Sequence, residues 1–163
     1  MKVITILFAF FALSCTSHNN EKPVGTDGWL KGNEDEKLET VSKHLRGFDM
    51  AMVETGYRYT ELYWAGQDQN WQYANYQLDK IKTAIEHGIE RRPKRAQSAQ
   101  AFLQNSIPAM REAIQKQDTA IFNQNFIVFQ TACRSCHVAE KVPFIEAEIP
   151  QQRLSPVKYI KHQ

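Results

Sequence analysis

The chain has 163 residues, and its 20 lysines and arginines against 18 aspartates and glutamates give a formal net charge of +2. Loss of the N-terminal segment described next, which holds one lysine, would lower that charge to +1. So small a charge disfavours nucleic acid as a partner, because such binding depends mainly on neutralising phosphates. The remaining length suits a single domain with one hydrophobic core.

Residues 1–14, MKVITILFAFFALS, are typical of a secretory signal peptide. The basic Lys2 precedes an apolar run that ends at the small Ser14 and is too short to span a bilayer, so we expect export. Cys15 follows directly, and FALSC resembles the lipobox of bacterial lipoproteins, whose cysteine becomes the lipidated N-terminus. This resemblance implies a lipid anchor at Cys15 and a place on the periplasmic or outer-envelope face. Ordinary secretion with a free Cys15 is the alternative.

Residues 15–33 are polar and rich in glycine and asparagine, which predicts a tether between the anchor and the domain. Helix one is predicted to begin after Asn33, because Asn33 can cap it and Glu36 occupies the capping-box position. Apolar residues then recur at steps of three and four as far as Ala65. This period predicts one long amphipathic helix.

Three further helices are predicted from the same periodicity. The second begins near Trp71 and ends at Pro93, and the third contains Pro108, which should kink or restart it. Asp118 is expected to cap the fourth. The inward positions of the fourth helix are Phe122, Phe126, Phe129, Cys133 and Cys136. Four helices with short connections predict an all-α, antiparallel up-down-up-down four-helix bundle over residues 34–142.

The stretch CRSCH, residues 133–137, brings two cysteines and a histidine to the end of the fourth predicted helix. Structural zinc usually needs about four nitrogen or sulfur ligands, and the chain has no second cysteine pair. A thioredoxin-type redox motif belongs in a βαβ unit, which this sequence does not predict. A disulfide within the motif is awkward on a helix and leaves His137 without a role. A haem-free bundle stapled by zinc or by a disulfide is therefore the least favoured alternative.

Covalent attachment of one haem accounts for all three residues of the motif. On a helical turn, Cys133 and Cys136 project from the same side, and each can form a thioether with a haem vinyl group. His137 can then give an imidazole nitrogen to the iron as the proximal ligand. Export agrees with this interpretation, because c-type haem is attached outside the bacterial inner membrane. The sequence therefore predicts one covalent haem c.

With this motif near the end of the last predicted helix, residues 34–142 resemble the class II cytochromes c, the cytochrome c prime group. The resemblance implies that helix one supplies the distal face of the haem pocket. The chain departs from the pattern in its lipoprotein-like start, in Pro108 and in its tail. Residues 143–163 hold three prolines. We expect this tail to form an irregular strap over the bundle that can cover the haem edge.

The predicted pocket joins Phe129 of the fourth helix to Leu45 and Phe48 of the first. Met52 is the candidate distal ligand, with His44 on the flank. Ligation would give six-coordinate iron suited to electron transfer, whereas a face covered by Leu45 or Phe48 would leave five-coordinate iron able to bind NO or CO. The alternative for Met52 is a core methionine at a stripe position. Electron transfer is the preferred function, and gas binding or sensing is the second.

The basic turn near Pro93 is expected at the haem end of the bundle. There it can pair with a haem propionate or dock an acidic redox partner protein, although a solvated loop is an equal alternative. Its basic residues are Arg91, Arg92, Lys94 and Arg95. The sequence shows no acid–base pair or nucleophile, so we expect no enzymatic activity. The class II resemblance further implies a possible homodimer through the first helices.

Overall fold

The computed structural model describes residues 22–158 of the protein. The predicted signal peptide, Cys15 and residues 159–163 lie outside this part. The chain divides between His44 and Leu45 into two compact units, which are described separately. Residues 22–158 contain no β-strand, so the predicted all-helical class is confirmed.

The α-helices account for most of the described residues. They are α1 Glu34–Leu45, α2 Phe48–Gln67, α3 Trp71–Arg91, α4 Ala96–Ala101, α5 Ile107–Gln115 and α6 Thr119–Ala139. Within residues 22–158, no helix combines the length and the apolar character needed to cross a membrane. Residues 143–158, which belong to the predicted irregular tail, contain no helix.

The first unit is a short ordered turn followed by α1. Val24 and Leu30 exchange two backbone hydrogen bonds of 3.0 Å around one turn of 3₁₀-helix, Thr26–Gly28. The Asn33 side chain then accepts from the Glu36 N–H at 2.9 Å, and the Glu36 carboxylate accepts from the Asn33 N–H at 2.8 Å. The predicted capping box is confirmed, and the second half of the predicted tether is an ordered turn.

The single long first helix predicted from the periodicity is wrong, because the helix is interrupted at Arg46 and Gly47. Arg46 has a φ of 61°, in the left-handed region, and Gly47 is extended, so neither continues an α-helix. Asp49 accepts a hydrogen bond from the Gly47 N–H at 3.0 Å and forms an ion pair with Arg46. The Asp49 carboxylate thus accepts from a backbone N–H that would otherwise bond to a carbonyl of a continuing helix, and a new helix, α2, begins at Phe48.

In the second unit, four helices enclose one hydrophobic core. α2 packs against α3 and α6, while α5 packs against the same two helices. The largest fully buried apolar side chains are Leu62, Leu78, Ile81, Met110, Phe122, Phe126 and Phe129. The predicted helical bundle is confirmed by this arrangement.

The interface between α2 and α3 is close and partly polar. A Cβ added to Gly88 would lie 2.7 Å from the Cβ of Ala51, so the two backbones approach closely there. Nearer the other end, the Tyr73 hydroxyl donates to Glu61 at 2.8 Å, and Glu61 is only 1% exposed. Residues early in α2 thus meet residues late in α3.

The third predicted helix changes its geometry just before Pro108. A π-helical turn, Phe102–Ser106, separates α4 from α5, and Pro108 lies in the first turn of α5. A proline is tolerated there because the first N–H groups of a helix have no intrahelical partner. Residues 96–115 stay helical throughout, so the structure places a π-helical turn just before Pro108 and shows no break in the helix there.

Helix α6 begins at the predicted cap and buries its aromatic face. The Asp118 carboxylate accepts from the Ile121 N–H at 2.9 Å. The ring of Phe122 lies so close to Gly66 of α2 that a Cβ added there would stand 2.1 Å from a ring carbon. The φ of Gly66 is not in the left-handed region, so its backbone conformation does not require glycine. The close Phe122 ring is what requires a residue without a Cβ.

Replacing Gly66 by Ala should destabilise the protein by about 1–3 kcal/mol, because the added methyl group overlaps the Phe122 ring. The matched control is Gly56→Ala in the same helix, where an added Cβ meets nothing within 4 Å. That substitution should stabilise by about 0.5–1 kcal/mol, since Ala loses less backbone entropy than Gly in a helix. Urea unfolding of both variants measures the two free energies. Equal effects of the two substitutions would contradict the packing argument.

Candidate functional site

The CRSCH motif occupies the last two turns of α6. Cys133 and Cys136 are half-buried free thiols, and Cys133 packs against the hydrophobic core. Their spacing of three residues places them on the same side of the helix as the buried Phe129. Two unbonded sulfurs are thus presented together where α6 leaves the core.

The surroundings of the two thiols differ. Burial raises the pKa of the Cys133 thiol to about 12, and the neighbouring Cys136 adds to the rise. Burial also raises the pKa of Cys136, but a hydrogen bond with Ser98 and the Arg95 guanidinium oppose that rise. Both groups are neutral thiols at physiological pH. Zinc ligation and nucleophilic attack both use the thiolate, so this environment favours neither.

The imidazole of His137 is held by the chain that follows α6. Its Nδ1 lies 2.6 Å from the carbonyl oxygen of Ile145. Since a carbonyl only accepts, Nδ1 carries a proton, and in the neutral ring Nε2 then carries the lone pair. Metal-binding histidines use this arrangement, in which one nitrogen donates to a backbone carbonyl and the other binds the metal. His137 therefore offers a ligand nitrogen immediately after Cys136.

A polar cluster joins the end of α6 to the start of α4. Glu140, which follows α6, forms an ion pair with Arg95 and accepts a hydrogen bond from Ser98. Arg95 belongs to the predicted basic turn, and its guanidinium also acts on the Cys136 thiol. Arg91 is half-buried, and its Nε has no hydrogen-bond partner within residues 22–158. Of the four basic residues, Arg95 is thus the one that the structure brings beside the motif, where a propionate or a partner protein is expected.

The residues predicted for the distal face separate into two groups. Phe48 and Met52 are half-buried and pack against the core of the second unit. Leu45 was expected to face inward with them but is 58% exposed, because the interruption after it ends the helical stripe. His44 packs edge-on against Trp29, with ring centroids 4.9 Å apart.

Tyr59 of α2 is a further neighbour of the motif. Its ring lies 4.7 Å from that of Phe126 and stacks parallel to Phe129 at 6.5 Å. The hydroxyl is buried without a hydrogen-bond partner among the described residues. Burial raises the pKa of Tyr59, and its electrostatic coupling to Cys133 shows that the two groups are close. Only the pairing of α2 with α6, which the sequence does not display, could have revealed this contact.

Among residues 22–158, no three histidine, cysteine, aspartate or glutamate side chains form a group able to hold a metal ion. A haem iron does not need such a group, because the porphyrin supplies most of its ligands and the protein adds one or two axial atoms. Two neutral thiols and a free Nε2 on one stretch of α6 are the groups that a covalently attached haem uses. The residues present fit that cofactor.

Comparison of the chain with protein families, curated proteins and solved structures gives no match. The functional argument therefore depends on the motif, its surroundings and the physical chemistry of its three side chains.

In protein prepared without haem, iodoacetamide should alkylate Cys136 well before Cys133. A thiol with a pKa of about 12 has roughly a thousandfold less thiolate than one at the ordinary value of 9.0, and the thiolate is the reacting form. Mass spectrometry of Cys133→Ser and Cys136→Ser variants assigns each rate, and the two thiols should react alike once urea unfolds the chain. Faster alkylation of Cys133 in the folded protein would contradict the proposed difference in burial.

Proposed function

We propose that this protein is an exported c-type cytochrome that carries one covalent haem and transfers single electrons at or near a membrane surface. The observation that supports this most is the state of His137. Its Nδ1 donates to the Ile145 carbonyl, which leaves Nε2 as the nitrogen able to bind a metal, and the thiols of the same motif are unbonded. Without a cofactor, there would be no functional reason for an oriented imidazole and two unbonded thiols to occur in one motif.

In this proposal each residue of the motif has its own role. Cys133 and Cys136 form the two thioether bonds, and Nε2 of His137 is the proximal ligand. When bound, the haem supplies the one-electron redox couple of its iron. Phe48 and Phe129 contribute apolar surroundings that limit access of water. Leu45 is left out of the pocket because it is exposed.

The proposal extends to an antiparallel, class II-like arrangement of the bundle. The order of contacts between α2 and α3 supports it, as does the Ser98 contact with Glu140, which joins the start of α4 to the end of α6. Gly66, late in α2, meets Phe122, early in α6. The interruption at Arg46 and Gly47 is a departure from a simple four-helix pattern.

Location and partners follow from charge and from the N-terminal sequence. The segment MKVITILFAFFALS followed by Cys15 supports export and a lipid anchor. Arg92 and Lys94 are exposed in the turn beside Arg95, which suits a redox partner with an acidic surface. The proposed activity is electron transfer between proteins rather than catalysis on a substrate.

Binding of a diatomic gas by five-coordinate iron is the second candidate function. The buried Tyr59 hydroxyl favours it, because this donor lies close to Cys133 and has no partner among the described residues. A hydroxyl in an apolar surrounding can donate to a polar ligand on the iron more strongly than one in water. Met52 decides between the candidates according to whether its sulfur binds the iron.

Protein matured with a haem-attachment system should show a Soret band that remains with the polypeptide after denaturation. Cys133→Ala combined with Cys136→Ala should lose this covalent haem, because no thioether can form. Cys15→Ala is the matched control: it should keep the haem and lose the lipid, as read from the intact mass. A wild-type protein that folds and matures without any Soret band would refute the assignment.

Carbon monoxide should leave the reduced wild-type spectrum unchanged if Met52 completes six-coordination, because the ligand site is then occupied. Met52→Leu should open that site and allow carbon monoxide to shift the Soret band. Met110→Leu is the control, since Met110 is a buried core methionine of α5. A shift already present in the wild type would contradict six-coordination and support gas binding.

A further inference from the structure

Residues 143–158, here called the strap, turn back along one side of α6. Gln130 donates to the carbonyl oxygen of Ala147 at 2.8 Å, and Arg134 donates to the Glu146 carboxylate at 3.0 Å. Positions further along the strap thus meet positions earlier in α6. With His137, these two α6 residues share one side of the helix by their spacing.

The far end of the strap is fastened to α2. Arg153 makes two hydrogen bonds to the carboxylate of Asp68, of 2.6 and 2.7 Å, and its guanidinium lies over the Trp64 ring at 4.9 Å. Both charged side chains are largely sheltered, at 20% and 16% exposure, so water screens the pair little. Between these attachments, Ile149 packs against the core. The strap is therefore held at both ends and in the middle.

We infer that the strap positions the proximal ligand: through the Ile145 carbonyl it holds the His137 imidazole in one tautomer and one orientation, with Nε2 directed to the haem iron. This inference rests on the proposed function, and it adds that the ligand's geometry depends on Arg153 and Asp68. Both residues lie far along the chain from the motif. The order of contacts along the strap links that remote ion pair to Ile145.

The same hydrogen bond adjusts the electronic character of the ligand. An imidazole whose Nδ1–H donates to a carbonyl is a more basic ligand at Nε2. A more basic ligand stabilises ferric iron relative to ferrous iron and so lowers the reduction potential. Loosening the strap should therefore move the midpoint potential to more positive values.

The first measurement uses full-length protein without haem, with ¹⁵N NMR of the neutral His137 ring reporting its tautomer. Wild-type protein should show protonation at Nδ1 alone, and Arg153→Met should introduce the Nε2–H tautomer. Exchange of the Nδ1 proton with solvent should become faster on the order of tenfold, because charge-assisted hydrogen bonds of the strap are lost. A wild-type ring that already mixes both tautomers would overturn the inference.

The second measurement uses the haem-loaded protein. Arg153→Met should shift the midpoint potential to more positive values, and exchanging the charges with Asp68→Arg and Arg153→Asp should reverse much of that shift. The matched control is Arg111→Met, which removes a similar pair of 2.6 Å contacts, to Asn75 and Asp79, away from the strap. The potential of the control should stay at the wild-type value.

The outcomes separate the two proposals. A Soret band with an unchanged potential in Arg153→Met would overturn the strap's role while leaving the cytochrome assignment intact. Absence of a Soret band would refute the cytochrome and, with it, the role of the strap toward iron, whatever the tautomer. Should Arg153→Met fail to fold, Arg134→Gln removes a more exposed strap contact and should shift both readouts in the same direction, by less.

Discussion

The orientation of α6 about its own axis, which decides which of its faces is buried, determines the surroundings of each residue in the candidate site. Phe122, Phe126 and Phe129 are fully buried. The Phe126 ring lies 4.7 Å from that of Tyr59 in α2, and the Phe129 ring lies 4.8 Å from that of Phe102 in the π-helical turn. Because an α-helix turns by about 100° per residue, burying these rings brings the first cysteine of the motif onto the same face. Cys136 and His137 then flank that face, Cys136 about 60° to one side of Cys133 and His137 about 40° to the other.

This division gives the motif three different surroundings. Cys133 meets the core, Cys136 meets Ser98 of α4 and Arg95 just before that helix, and His137 meets the returning strap. Residues adjacent in the CRSCH stretch thus contact three separate parts of the fold. In the proposed cytochrome, the thioether bonds, the electrostatic surroundings and the orientation of the ligand would each depend on a different set of contacts.

Features encoded locally were predictable from the sequence. The caps at Asn33 and Asp118 depend on residues within one turn, and both are confirmed. Near Pro108 the helix changes to a π-helical turn without a break. The interruption at Gly47 was missed because the apolar period continues through it, although a glycine two residues before Asp49 was a usable signal. Periodicity therefore predicts that the segment is helical. The position at which the first helix is interrupted depends instead on the hydrogen bond from the Gly47 N–H to Asp49, which competes with the helix.

The contacts that complete the site could not be predicted, because they join segments with no shared pattern. The strap has no helical or strand period, so its sequence does not indicate that Ile145 returns to His137. The proximity of Tyr59 to Cys133 likewise depends on how α2 is paired with α6. Periodicity identifies which face of a helix is buried, but it does not identify the atoms that face it.

The buried hydrogen bond between Tyr73 and Glu61 also bears on the opposite end of the bundle. Apolar helix faces can slide past each other by one turn and still bury similar area. A slip of α3 along α2 would instead strand the Glu61 carboxylate in the interior without its donor, at a cost of roughly several kcal/mol. The hydrogen bond between Tyr73 and Glu61 therefore favours one lengthwise register of α3 on α2. By fixing the sliding position of the two helices, it keeps Gly88 opposite Ala51, and the lengthwise alignment of the core beside Phe48 is set several turns away.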